Sequence, residues 1–218
     1  MNKYFIYNNL NSKEDYNLII EDRVIYPSSI NKEDTLELNV YYYNKDSKEL
    51  LKQHRLLQQW LAESGFLQFE EDKETKYKVV GINFTMKERR EHSIHFNIKF
   101  TVEPLKYIIK DSTFKIIDIE EVKEEYTLEN EGDVECYPIF KISSTGTVTI
   151  NVNDNILTIE NTEGEYFIDS DLKDCYNLTS LLNNNVTGEL PILNKGINTV
   201  TITGNISALS IKLNTKTY

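Results

Sequence analysis

The sequence is short of the features that would mark a catalyst. Its 218 residues include two cysteines, three histidines and one tryptophan. It has no Gly-rich phosphate loop, no G-x-S-x-G elbow and no Cys/His nucleophile arrangement, so an active site would have to be assembled from residues distant in sequence. No run approaches the ~18 consecutive apolar residues of a membrane span. Residues 1–20 mix Lys, Glu and Asp with apolar positions, which argues against a signal peptide. Cys136 and Cys175 leave a single disulfide open, but without a secretion signal the favoured reading is two small buried thiols in a cytosolic setting. The Asn-x-Ser/Thr triplets at Asn83, Asn177, Asn185 and Asn205 are then chance matches.

Basic residues are scarce in one half only. Residues 1–118 hold 18 Lys+Arg against 19 Asp+Glu, and residues 119–218 hold 6 against 16. The halves therefore carry about the same share of length but −1 and −10 of the net −11. Surfaces that different favour two domains, and an acidic chain repels phosphate, which weighs against nucleic-acid recognition through a basic face. Hydrophobic residues make up 39% and charged residues 27%, enough apolar content for packed cores.

Most of the chain has the period of a strand. Leu36, Leu38, Val40 and Tyr42 alternate with polar or aromatic neighbours, Tyr77 and Val79 begin another run, and Ile94, Phe96, Ile98, Phe100 and Val102 form the cleanest one. Pro104 is expected to end that strand, with Tyr107–Ile109 as a possible extension. One segment has helical spacing: Asp46 at an N-cap with Glu49 three residues on, then Leu50, His54, Leu57 and Leu61 in line, widened by Leu56 and Trp60. The expected helix spans about 47–64, with Gly65 ending it in a left-handed conformation and the apolar stripe covering a sheet. The domain boundary is expected near Asp118. Beyond it, short strands separated by Thr, Asn and Gly turns predict a β-sandwich, with Val200 and Ile202 on one strand and Leu209, Ile211 and Leu213 on the last.

Three clusters could carry chemistry. His92 and His95 lie three apart, so a regular strand turns them to opposite faces and no ligand sits at matching spacing, which is poor for a metal. His54 is expected to be a packed, hydrogen-bonded helix residue. The acidic corner Glu163, Glu165, Asp169, Asp171 and Asp174 could in principle serve hydrolysis or calcium. It lacks calcium-loop spacing, and solvated charge at strand ends is the simpler account. Lys87–His92, mixed in sign, fits a solvated hairpin tip better than an arm docking on a neighbour.

The order of elements in the last third is itself a pattern. Asn130-Glu131-Gly132 opens a turn, Cys136-Tyr137-Pro138 leads into Ile139–Ile142, Ile168-Asp169-Ser170 forms a corner, and Pro191-Ile192-Leu193 precedes Lys195-Gly196-Ile197-Asn198. This order resembles the C-terminal half of phage distal tail proteins, and a single helix ending in Trp60-Leu61 before Gly65-Phe66-Leu67 resembles their N-terminal half. The resemblance implies a mainly β protein. Residues 1–118 would be a ring-forming β domain with one helix, and residues 119–218 a galectin-like β-sandwich.

What the resemblance implies for function is a structural virion protein without enzymatic activity, cofactor or metal. It would be a homohexameric hub ring at the distal end of a phage or prophage tail, made in the bacterial host cytoplasm. The ring would join the tail tube protein to a tail-associated lysin or hub protein, and to baseplate or receptor-binding proteins, with no membrane or sequence-specific nucleic-acid partner. Asn130, Gly132, Pro138, Asp169, Ser170, Pro191, Gly196 and Asn198 would be structural, Asp169 through an Asx-type turn. Ring contacts are expected in the near-neutral half, with Tyr4, Ile6, Ile94, Phe96 and Ile98 as candidates. The alternative is a carbohydrate-binding module contacting host cell-wall saccharide, with Tyr126, Tyr137, Tyr166 and Tyr176 as stacking platforms and Trp60 expected to be buried.

Overall fold

The computed structural model describes residues 3–26, 33–119 and 125–218. Among the described residues it is mainly β, with one α-helix and two antiparallel sheets. The chain divides into two compact units, 1–106 with 218, and 107–217. The division lies upstream of Asp118. The strand carrying Ile94–Val102 does not stop at Pro104 but runs Ser93–Ile108, so its last two residues belong to the second unit, where the Ile108 N–H donates to Thr215 O at 3.0 Å. Among the described residues the ladder to the neighbouring Asp34–Tyr43 strand ends at Val102, short of Pro104 and its missing N–H.

The first unit contains β1 (Phe5–Tyr7), β2 (Leu10–Asn11), β3 (Ile19–Tyr26), β4 (Asp34–Tyr43), helix α1 (Ser47–Trp60), β5 (Gly65–Phe69), β6 (Thr75–Arg89) and β7 (Ser93–Ile108). The strands lie in the order β2-β1-β5-β6-β7-β4-β3. Period two puts Leu36, Leu38, Val40 and Tyr42 of β4 and the five apolar residues of β7 on one face, and all are buried. Helix α1 covers that face with Leu50, Leu57 and Trp60. Asp46 caps it, its Oδ1 accepting from Lys48 N at 2.8 Å. Leu56 is 48% exposed and so does not widen the buried stripe.

The helix stops at Trp60, earlier than expected, and Gly65 does not cap it. Gly65 instead opens β5, where a Cβ would stand 1.7 Å from Asn8 Oδ1. That oxygen accepts from Phe66 N at 3.1 Å, so the glycine is there for close approach rather than for a left-handed turn. Gly65→Ala is expected to displace Asn8 and cost about 1–2 kcal/mol through the lost hydrogen bond. Asn8→Gly in the same chain should add little further, because its side chain is already displaced; urea unfolding of the three variants checks this.

The second unit contains β8 (Lys115–Ile116), β9 (Tyr126–Asn130), β10 (Ile139–Val152), β11 (Asn155–Asp169), β12 (Asp174–Tyr176), β13 (Val186–Gly188), β14 (Gly196–Lys212) and β15 (Lys216–Thr217). The order is β12-β11-β10-β14-β8, with β13 also beside β11 and β9 beside β14. The three central strands are long and bent. The register between β10 and β11 shifts between Gly146 and Val148, and that between β10 and β14 shifts between Thr145 and Thr149. At the same level Gly204 has φ +133°, and a Cβ there would lie 2.6 Å from Thr147 O. The bends let the two halves of each strand bury Phe140 and Ile142 on one side of the kink and Val148, Ile150 and Val152 on the other in one core. Thus 200–213 is not two strands: Val200, Ile202, Leu209 and Ile211 belong to β14, and the last strand is β15. Among the described residues no helix is long and apolar enough to cross a membrane.

Candidate functional site

The residues singled out in the last third converge on a buried polar clasp. Asn130 ends β9 opposite Gly196 of β14. Its Nδ2 donates to Val134 O (2.8 Å) and Leu193 O (3.3 Å), and its Oδ1 accepts from Gly132 N (3.0 Å). Asn198 is 1% exposed. Its Nδ2 donates to Asn194 O (2.9 Å) and Gly196 O (2.8 Å), while its Oδ1 accepts from Asn194 N (2.8 Å) and Asn153 Nδ2 (2.7 Å). Each amide thus closes a loop that has no ladder of its own. Gly196 supplies φ +88° at the turn, and Pro191 is buried. The clasp extends to the C-terminal strand, where Asp133 N donates to Lys216 O and the Thr217 hydroxyl donates to the Asp133 carboxylate.

Asp169 and Ser170 make the second feature. Asp169 is buried, and its Oδ1 accepts from Asp171 N (3.1 Å) and Leu172 N (3.0 Å), an Asx turn. Ser170 N donates to Pro138 O at 3.2 Å, joining this corner to the entry of β10. Two other acids of the corner are engaged with neighbours: Glu165 with Lys141 at 2.9 Å, and Asp174 with Asn183 Nδ2 at 2.8 Å. Among the described residues no three His, Cys, Asp or Glu side chains are placed to hold a metal ion.

Burial rather than activation governs the remaining reactive groups. Cys136 and Cys175 are free and buried, and desolvation pushes their thiols up to about 12 and about 11, so neither is a thiolate near neutral pH. Tyr166 is 1% exposed with its hydroxyl bonded to Ser144, and burial pushes it up to about 12, which removes it as a stacking platform. Trp60 is buried too.

His54 packs against Tyr42, Phe84 and Phe96, but among the described residues its Nδ1 has no hydrogen-bond partner, contrary to the hydrogen-bonded role expected of it. Burial holds its pKa below its ordinary 6.5. The unfolded chain therefore takes up this proton at higher pH than the folded one. The stability contribution is complete above about pH 6.5 and is lost as pH falls through the folded value. His54→Gln is expected to flatten that acid limb of the urea midpoint, measured between about pH 7 and 5.

The five interface candidates of the first unit separate into two groups. Ile94, Phe96 and Ile98 are at most 1% exposed, and β7 has β6 on one side and β4 on the other. Neither their side chains nor an open edge is available to another subunit, so they are core residues. Tyr4 and Ile6 are half-buried. Ile6 lies on the face of β1 opposite Phe5 and Tyr7, in a shallow depression of about 550 Å³ with Asn8, Glu63, Phe66, Gln68 and Lys76. Lys87–His92 forms the β6–β7 hairpin tip.

Sequence reading passed over Asn153, whose Oδ1 accepts from Thr199 N (3.0 Å) and whose Nδ2 reaches Asn198. A signal was present: Asn153-Asp154 separates two apolar runs, and both residues have positive φ (50° and 70°), the two-residue turn that suits a hairpin.

No family model matches the sequence, and no curated protein matches it. Among solved structures it is similar to SPP1 Dit (gp 19.1), described as a paradigm of the hub adsorption apparatus in phages infecting Gram-positive bacteria. The likeness covers 98% of this chain and 98% of that one, with a TM-score of 0.63 and 11% sequence identity. Over nearly its whole length, then, this chain has the fold of a phage Dit hub protein.

Proposed function

We propose that the chain is a distal tail protein: a structural, non-enzymatic subunit of a six-membered hub ring joining a tail tube to the tail tip or baseplate. The observation that carries this reading is the fold likeness to SPP1 Dit across 98% of both chains, both units included. The motif order of the last third supports it independently, because those residues are spent on holding loops rather than presented to a ligand.

The ring contacts are assigned to the first unit, where net charge is near zero and copies approach without strong repulsion. Tyr4 and Ile6, with the depression around Ile6, are the proposed contact surface. Partners would be the tail tube protein on one side and a tail-associated lysin or hub protein on the other, with baseplate or receptor-binding proteins at the rim. A sugar-binding role for the second unit has less support, since Tyr166 is buried and the tryptophan lies in the first unit. Gold-labelled antibody against the chain is expected to decorate the tail end remote from the capsid in virion images; label confined to capsids, or none on particles, would contradict the assignment.

A further inference from the structure

Helix α1 meets its sheet through a titratable side chain that the proposed function does not use. His54 lies one turn after Leu50 and one before Leu57, on the stripe that faces the sheet. Its ring meets one aromatic ring from each of three strands: Tyr42 of β4 at 6.1 Å, Phe84 of β6 at 5.4 Å and Phe96 of β7 at 6.2 Å. Phe84 packs on Phe96 at 4.4 Å, and Tyr42 lies 5.5 Å from Phe96, so the four rings form one cluster. Two buried polar atoms belong to it, His54 Nδ1 and Tyr42 Oη, and among the described residues neither has a hydrogen-bond partner.

Nothing in this cluster suits an imidazolium. Tyr42 is 0% exposed, and burial keeps its phenol neutral. Phe84 and Phe96 carry no charge. The charged group felt at Tyr42 is the Arg89 guanidinium of β6, itself a cation. On the helix, Glu49 lies 3.6 Å from Lys52, and Asp46 accepts from Lys48 N at the cap. Among the described residues no carboxylate pairs with His54. Aromatic faces replace part of a cation's lost hydration, but no anion completes it. The other two histidines differ: His92 Nε2 lies 3.8 Å from Glu91 and His95 Nδ1 3.5 Å from Glu21, so each can take a proton where it stands.

We propose that His54 is an acid-sensitive latch on α1: once protonated, its ring leaves the Tyr42, Phe84 and Phe96 cluster and the first half of the helix opens from the sheet. The far end is fastened independently, since Trp60 stacks on Tyr16 and Phe5 and donates its N–H to Tyr7 O at 3.0 Å. Opening is therefore hinged at the Trp60 end and breaks the bond from Gln53 Nε2 to Tyr16 O. The sheet beneath keeps its own ladders, β7 lying between β6 and β4, so β4 and β7 stay closed. Acid thereby uncovers apolar surface of the first unit without unfolding it. The latch acts within one chain, so it stands or falls separately from the hub assignment.

Amide hydrogen exchange of the full chain at pH 7 and pH 5, each corrected for intrinsic exchange at its pH, tests this. Ordinary carboxylates titrate near pH ~4, so this window isolates the histidines. Residues 47–54 should exchange at least ~10-fold faster at pH 5, with 36–42 and 94–102 unchanged. His54→Gln and His54→Phe, which carry no proton there, should each abolish the acceleration. Tyr42→Phe should keep it, because it removes the unpartnered hydroxyl and leaves the histidine. The double variant His92→Asn/His95→Asn should keep it as well. No acceleration in the parent, acceleration that survives both His54 variants, its loss in the double variant, or equal acceleration in β4 and β7 would each overturn the latch.

Discussion

Replacing Asn198 with alanine is expected to destabilise the second unit by about 3–5 kcal/mol, among the largest effects of any single polar substitution in the chain. The side chain is 1% exposed and makes four hydrogen bonds, to Asn194 N, Asn194 O, Gly196 O and Asn153 Nδ2. Truncation leaves those groups buried without partners and releases the loop that sets Leu193 against Cys136. Asn198→Asp is no rescue. It keeps the two acceptor functions but turns a carboxylate toward the Asn194 and Gly196 carbonyls. Because the only tryptophan lies in the first unit, its fluorescence reports that unit alone, while far-UV circular dichroism reports both. Asn198→Ala should lower the circular-dichroism midpoint and leave the fluorescence midpoint in place. A loss under ~1 kcal/mol would show that the loop is held by packing rather than by this amide.

Trp60→Ala is the second large expectation, about 3–5 kcal/mol from the first unit. The indole stacks on Tyr16 at 4.2 Å and Phe5 at 5.5 Å, meets Tyr7 edge-on at 6.0 Å, and donates its N–H to Tyr7 O at 3.0 Å. It fastens α1 to β1 by stacking and by a hydrogen bond to the strand's backbone. Trp60→Phe separates the two contributions. It keeps much of the apolar contact and leaves Tyr7 O without its donor, for an expected loss of about 1–2 kcal/mol. Circular dichroism during urea unfolding reads both variants. Equal losses for Phe and Ala would mean that the hydrogen bond rather than the stack carries the effect.

How much of this was legible in the sequence depended on whether a local pattern was enough. The faces of β4 and β7 were, because one buried side imposes period two on Leu36–Tyr42 and Ile94–Val102. The neighbours of those strands were not. An alternating strand looks the same at an edge or in the centre, so Ile94, Phe96 and Ile98 were offered as subunit contacts when β6 and β4 flank them. The two runs Val200–Ile202 and Leu209–Leu213 were assigned to separate strands, yet Gly204 between them marks a bend within β14, because a bulge and a turn ask for the same backbone freedom. Gly65 matched a helix cap by position while its cause, the Asn8 side chain, lies far away in sequence. In the clasp, Asn130 and Asn198 were found through the order of motifs. Asn130's partner Leu193 and Asn198's partner Asn153 come from two other segments, which no spacing rule joins.

The mass of the purified full-length chain in solution, with negative-stain images of the same sample, tests the hub assignment most directly. The account predicts particles of six times 25.5 kDa, seen as rings with an open centre. A strict monomer at every concentration, with no ring even beside a purified tail-tube partner, would contradict it.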